Sequence, residues 1–285
     1  MTKKICLAAL YVISVLSLAA IEWPTREGKI VANFGSGDLG KPAMGDTFAA
    51  SGTVLPADVG ELVFYHDPAN NAATFPSPLG AWAALDHGDN LVALYGRFEE
   101  QPGGGIPAIV GKETVIAQAG TSGWTSRQGF YFALYDRRER RWINPAIIIS
   151  SLEDLRPPAI HQVTLRNAAG TLINPAQSNR LPQGLYSVFV NADDGEAAGE
   201  ILAPNRIICS VNGVESGALS FETLTARDGR RMVYRNALVP SSEVYDGLGF
   251  GLGELRLSRG QINLVIEVRD IAENSRMASY RLNVE

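Results

Sequence analysis

Apolar residues in this chain recur at every second position, and almost never at helical spacing. In INLVIEVRD, Ile262, Leu264, Ile266 and Val268 alternate with Asn263, Val265 and Glu267. Successive side chains of a strand point to opposite faces, so this spacing lines one face of a strand with apolar groups. The alternating segments are short, and turn residues separate them; 29 Gly and 15 Pro are spread along the 285 residues. No stretch carries a convincing i, i+3, i+4 pattern. The expected fold class is all-β, built from many short strands.

Strands are expected over 28–34, 47–56, 61–65, 80–86, 91–98, 113–119, 129–135 and 141–143. WAALDHGDNLVALYG predicts a hairpin turning at His87–Asn90. The segment SSLEDLRPP at 150–158 predicts a linker, because each proline disfavours helix in the residue before it. Beyond it, QVTLRNAAG, GLYSVFVNADDG, RIICSVNG, ALSFETL, RMVYRN, INLVIEVRD and SYRLNVE give about seven strands in roughly 125 residues. That pattern suits an immunoglobulin-like β-sandwich over 158–285. Its closing AEN turn stands where bacterial immunoglobulin-like modules often carry AGN.

The first 20 residues, MTKKICLAALYVISVLSLAA, have Lys3 and Lys4, an apolar run, then small residues. This is the pattern of a secretory signal peptide. The alternative is an uncleaved membrane anchor, although the run is short against the ~20 residues of a spanning helix. Cys6 comes too early for a lipid-modified cleavage site. Removal of 1–20 would leave Cys209 without an intrachain partner and 23 basic against 30 acidic residues, a net charge of −7. An acidic product argues against nucleic acid as a partner. The expected location is the periplasm or the cell envelope more broadly.

The region 24–150 carries a series of motifs in one order. Ala43-Met44-Gly45-Asp46-Thr47 is followed by a strand with Gly52 and Gly60. Then come His87-Gly88-Asp89 and Tyr95-Gly96-Arg97-Phe98. Gly120-Thr121-Ser122-Gly123 leads to Gly129-Phe130-Tyr131-Phe132, and Asn144-Pro145 closes the run. The order resembles the LytM/lysostaphin family of zinc endopeptidases (peptidase family M twenty-three), which hydrolyse the peptide bridges of peptidoglycan. The resemblance implies a small antiparallel-sheet domain (the duplicated hybrid motif) with a groove over one face. In that family HxGxD supplies two zinc ligands, YxHL a catalytic histidine, and HxH a second catalytic histidine and the third ligand. Here the ligand positions fall on Ala43, Thr47 and Tyr131, and the catalytic ones on Arg97 and Gly129. Asp46 is one residue off, so in a strand it would face the other side.

A catalytic zinc needs about three protein ligands and an open position for water. Ala43 has no donor atom, and Thr47 and Tyr131 are poor ligands. The expectation is therefore a degenerate domain with no metal and no catalytic residues. Its groove candidates are Thr47, Arg97, Trp124 and Tyr131. Other metal sets would need His66 with Asp67, or His87 with Asp86 and Asp89; each reads more simply as a turn. His161 reads as a packing or surface residue. No GxSxG elbow is present, and no carboxylate pair is singled out for glycosidase work. Gly103-Gly104-Gly105 opens no helix and so is no nucleotide loop. The basic run 137–141 reads as a solvated hairpin tip, or as a contact for an anionic polymer.

The expected function is that of an exported envelope protein with a catalytically inactive LytM-like domain that binds peptidoglycan or regulates a wall hydrolase. Two alternatives stand beside it: an active zinc metalloendopeptidase, with zinc as its cofactor, and a structural envelope interaction module. A membrane partner is expected only through an uncleaved leader.

Overall fold

Alternation in the sequence becomes alternation in burial. In the strand Phe130–Asp136, Phe130, Phe132 and Leu134 are fully buried on one face, while Tyr131 and Tyr135 are half-buried on the other. The computed structural model describes residues 21–38, 41–68, 76–99, 105–149, 154–195 and 202–285. The expected leader at 1–20, Gly103-Gly104 and the linker start at 150–153 lie outside the described residues.

Strands joined by turns and loops make up the described residues, and helical structure among them is a one-turn helix, Pro145–Ile148, and a 3-10 turn, Ser241–Glu243. Asn144 caps the helix, its side chain accepting from Ala146 N, with Pro145 at the first helical position, where a missing N–H costs nothing. Among the described residues no helix is long and apolar enough to cross a membrane.

The first sheet runs in the order Gly60–His66, Ala81–Asp86, Leu91–Phe98, Phe130–Asp136, Arg141–Ile143, all antiparallel. Asp46–Ala49 also pairs with Phe130–Asp136, setting Thr47 opposite Tyr131 and Asp46 opposite Phe132. One face packs Phe48, Tyr95, Phe98, Phe130, Phe132 and Leu134 with other apolar residues into a core. Phe48 stacks on Phe130 at 4.7 Å. Burying each of the larger side chains stabilises the fold by roughly 1.5–3 kcal/mol.

The later region has two facing sheets. One is ordered Leu172–Ile173, Ala159–Asn167, Gly184–Asp193, Gly249–Leu257, Tyr245–Asp246. The other contains Ser275–Val284, Gly260–Arg269, Arg206–Val211 and Val214–Arg227, with Arg230–Arg235 paired to the last. Between them Val163, Leu165 and Val188 meet Ile207, Leu264 and Ile266 in a second core.

The two regions share one hydrogen-bonded sheet. Arg141–Ile143 pairs with Val214–Arg227, Trp142 lying opposite Leu224. Phe34, from the early part of the chain, is buried in the second core. Asn33 adds a clip: its Nδ2 donates to Ala203 O at 2.7 Å and its Oδ1 accepts from Ala203 N at 2.8 Å. Nothing in the alternation marks this seam, because pairing partners so far apart in the chain leave no local pattern.

Several expected strands change. The segment expected at 113–119 is reduced to the strand Ala117–Gln118, paired with Thr53–Val54, and a single bridge from Ala119 to Phe98. The long strand expected at 47–56 is broken into Asp46–Ala49 and Thr53–Val54. His66, expected in a loop, ends the strand Gly60–His66 and is buried, 6.4 Å from the Trp82 ring.

Candidate functional site

The face of the first sheet turned away from its core carries Thr47, Tyr131 and Gly96 in one cross-strand row. Arg97 joins this row by an irregularity. The register between Ala81–Asp86 and Leu91–Phe98 steps from Phe98 to Gly96, leaving Arg97 as an extra residue with φ +66°. Such a bulge re-aims a side chain, and a non-glycine residue at this φ costs about 1–2 kcal/mol. Backbone bonds hold it: Arg97 N donates to Leu79 O at 2.6 Å, and Arg97 O accepts from Gly120 N at 3.1 Å.

The Arg97 Nη1 donates to Thr47 Oγ1 at 3.3 Å, and its guanidinium carbon lies 5.8 Å from the Tyr131 ring centroid. That is the range of a cation–π contact. The Nε is buried without an acceptor. A buried donor left unpaired costs about 1–3 kcal/mol. Burial pulls the Arg97 pKa below its usual value, while the nearby Tyr131 opposes that shift.

These residues line a cavity of about 810 Å³ together with Ala43 and Met44. Its other wall comes from the second region: Arg231, Tyr245 and Phe250. Arg231 Nη1 donates to Pro42 O at 3.0 Å, across the seam. Burial pushes the Tyr131 hydroxyl far above its ordinary pKa. The Asp46 carboxylate adds to the rise, and Arg97 and Arg231 pull against it.

Asp46 lies on the core side, as its one-residue offset implies. Its Oδ1 accepts from Phe34 N at 2.7 Å, and its buried Oδ2 has no partner. Burial pushes its pKa up to about 7, against the lowering effect of the Phe34 bond.

Ala43, Thr47 and Tyr131, the positions that the sequence resemblance sets at zinc-ligand places, share one cavity. They do not fit a zinc ion. Ala43 offers no donor, the Thr47 hydroxyl is taken by Arg97, and Tyr131 is held in its neutral form. A divalent ion ~4 Å from a guanidinium would meet roughly 8 kcal/mol of repulsion at an effective dielectric of about 20.

Gly129 has no room for a side chain: an added Cβ would stand 1.9 Å from Phe48 O. Its N and O both bond Gly120, at 2.9 and 2.8 Å. Trp124 does not line the cavity and is 75% exposed. His87 is occupied elsewhere, with Nδ1 3.0 Å from Val59 O and Nε2 3.2 Å from Tyr95 Oη. His161 pairs with Asp193 at 2.5 Å on the surface. Among the described residues, the group able to gather donors around a cation is Asp154, Asp194 and Asp270, carboxylates only, one from the linker and two from the second region. Both Asp270 oxygens are already taken by Asn274, at 2.8 Å each. Sequence reasoning missed Met44, Arg231, Tyr245 and Phe250. The last three come from strands far beyond Thr47 in the chain, and no linear motif announces them.

A protein-family model matches residues 157–285. No curated protein matches the chain. Among solved structures, the catalytic domain of a mutant of the prophage-encoded M23 protein EnpA from Enterococcus faecalis is 18% identical to this chain. That match covers 41% of this chain and 87% of that one, with a TM-score of 0.34. The solution structure of lysostaphin is 11% identical over 94% of this chain and 98% of that one, TM-score 0.37. The antimicrobial peptidase lysostaphin from Staphylococcus simulans is 14% identical over 92% and 96%, TM-score 0.33. Likeness at this level says nothing about activity.

Proposed function

We propose that this chain is an exported cell-envelope protein whose first domain, 24–150, is a zinc-free, catalytically inactive relative of the LytM-type peptidases. The second domain, 158–285, is an immunoglobulin-like sandwich that completes the groove. The groove binds peptidoglycan peptides or a wall hydrolase, and no bond is cleaved. One observation carries the reading: the Arg97 guanidinium sits against Thr47 and Tyr131, at the positions where the resembling enzymes hold a metal. A fixed cation there opposes a second one and favours an anionic or hydrogen-bonding guest.

Purified protein incubated with equimolar zinc and then dialysed is expected to retain no stoichiometric metal and to leave muropeptides intact. Sedimentation with purified sacculi, or capture of a hydrolase from envelope extract, is expected to succeed. Stoichiometric zinc with muropeptide cleavage would sink the reading, and so would failure in both binding assays.

A further inference from the structure

The chain as a whole is acidic, with a net charge of −5, yet the cavity is cationic. Among the described residues it carries Arg97, Arg231 and Lys41 against one acid, Asp246, and that acid faces Arg166 Nη1 at 3.4 Å. Among the described residues neither Arg97 nor Arg231 has a carboxylate partner. Arg97 meets the Thr47 hydroxyl, and Arg231 meets the Pro42 carbonyl. Arg97 and Arg231 line the same cavity as Tyr131, while the Asp46 carboxylate, turned to the core side, opposes their effect on its hydroxyl. The Arg97 Nε remains a buried donor with nothing to bond.

A second cavity of about 510 Å³ continues this character. It shares Lys41, Arg231 and Tyr245 with the first and adds Arg230, with no acid among the described residues of its wall. Between the cations the lining of the main cavity is apolar: Ala43, Met44, Leu94, Trp142 and Phe250. A planar guanidinium matches a carboxylate with two parallel hydrogen bonds. A volume of this size holds a ligand of a few residues.

We propose that the cavity at the seam is a carboxylate site for a short peptide. Arg97 from the first region and Arg231 from the second take the carboxylate oxygens, and the apolar wall takes the small side chains. The site is composite: the strand Arg230–Arg235 brings in the second cation, so neither region holds the whole of it. This rests on the binding role given to the groove above, and specifies its guest.

The test is calorimetric titration of the full chain with three probes: N-acetyl-alanyl-alanine with a free carboxylate, the same dipeptide as its C-terminal amide, and inorganic phosphate. The free acid is expected to bind at least about tenfold more tightly than the amide, and more tightly than phosphate. Added salt is expected to weaken it, and R97Q and R231Q are each expected to weaken it about tenfold or more. Equal binding of acid and amide, binding of neither, or preference for phosphate would each overturn the proposal. Should a variant misfold by near-ultraviolet circular dichroism, the acid–amide comparison in the unaltered chain decides alone. Sacculus sedimentation separates the two readings. Sacculi pelleting the protein without dipeptide binding leaves the wall role and removes the carboxylate site. Arginine-dependent dipeptide binding with neither sacculi nor hydrolase captured does the reverse.

Discussion

Replacing Asp46 by asparagine is expected to remove a pH dependence from folding. Asp46 is 1% exposed, and its carboxylate accepts from Phe34 N at 2.7 Å. Its pKa stands at about 7 in the folded protein, against 3.8 for the free group. Between those values the folded state keeps a proton that the unfolded state has lost. Stability is therefore highest below about pH 4 as far as this group is concerned, and falls as pH rises to about 7. One unit is worth about 1.36 kcal/mol, so the loss over this window is about 4 kcal/mol. Above it both states are ionised, and the cost stays constant. The amide side chain of D46N cannot ionise. Its carbonyl can still accept from Phe34 N, and its NH2 group takes the place of the unpartnered oxygen, at a cost of about 1–3 kcal/mol. The variant should then lie within about 1.5 kcal/mol of the parent near pH 5, and exceed it by about 1–3 kcal/mol near pH 8. Urea unfolding at both pH values, followed by tryptophan fluorescence and far-ultraviolet circular dichroism with coincident transitions, measures the difference. Parallel stability-versus-pH lines for D46N and the parent would refute the argument.

Other outcomes follow from the same geometry. Gly129→Ala would set a methyl group 1.9 Å from Phe48 O, forcing two strands apart; a loss of at least about 2 kcal/mol is expected by thermal denaturation. Asn33→Ala removes both bonds to Ala203 and should cost about 1–3 kcal/mol, with faster amide exchange at Ala203 as the local signature. Trp124→Ala, at a side chain 75% exposed and outside the cavity, should change stability by no more than about 0.5 kcal/mol and leave dipeptide binding unaltered in the calorimeter.

Much of this was legible in the residues. The alternation in Phe130–Asp136 told which face is buried, and the one-residue offset of Asp46 told that it turns from Thr47; the register of Thr47 on Tyr131 agrees with both. The hairpin turn at His87–Asn90 was likewise written locally, and Asp89 and Asn90 take the positive φ such turns favour. The 113–119 segment misled because its first residues form no ladder, and pairing begins only at Ala117–Gln118, with a single bridge from Ala119 to Phe98. Trp124 misled because residue type alone does not say whether an aromatic side chain lines a groove or stands in solvent.

By itself the sequence determined the all-β class, the faces of the strands, and the residue types at Ala43, Thr47 and Tyr131. These are properties of residue type and of a two-residue period, and both are local. Tertiary structure alone decided that Arg97 is an extra residue in a bulge, that Arg231 and Tyr245 form the opposite wall, and that one sheet runs through both regions. Those facts depend on which distant strands pair and in what register. Strand pairing is made by backbone groups that every residue carries, so it leaves little mark on the linear order.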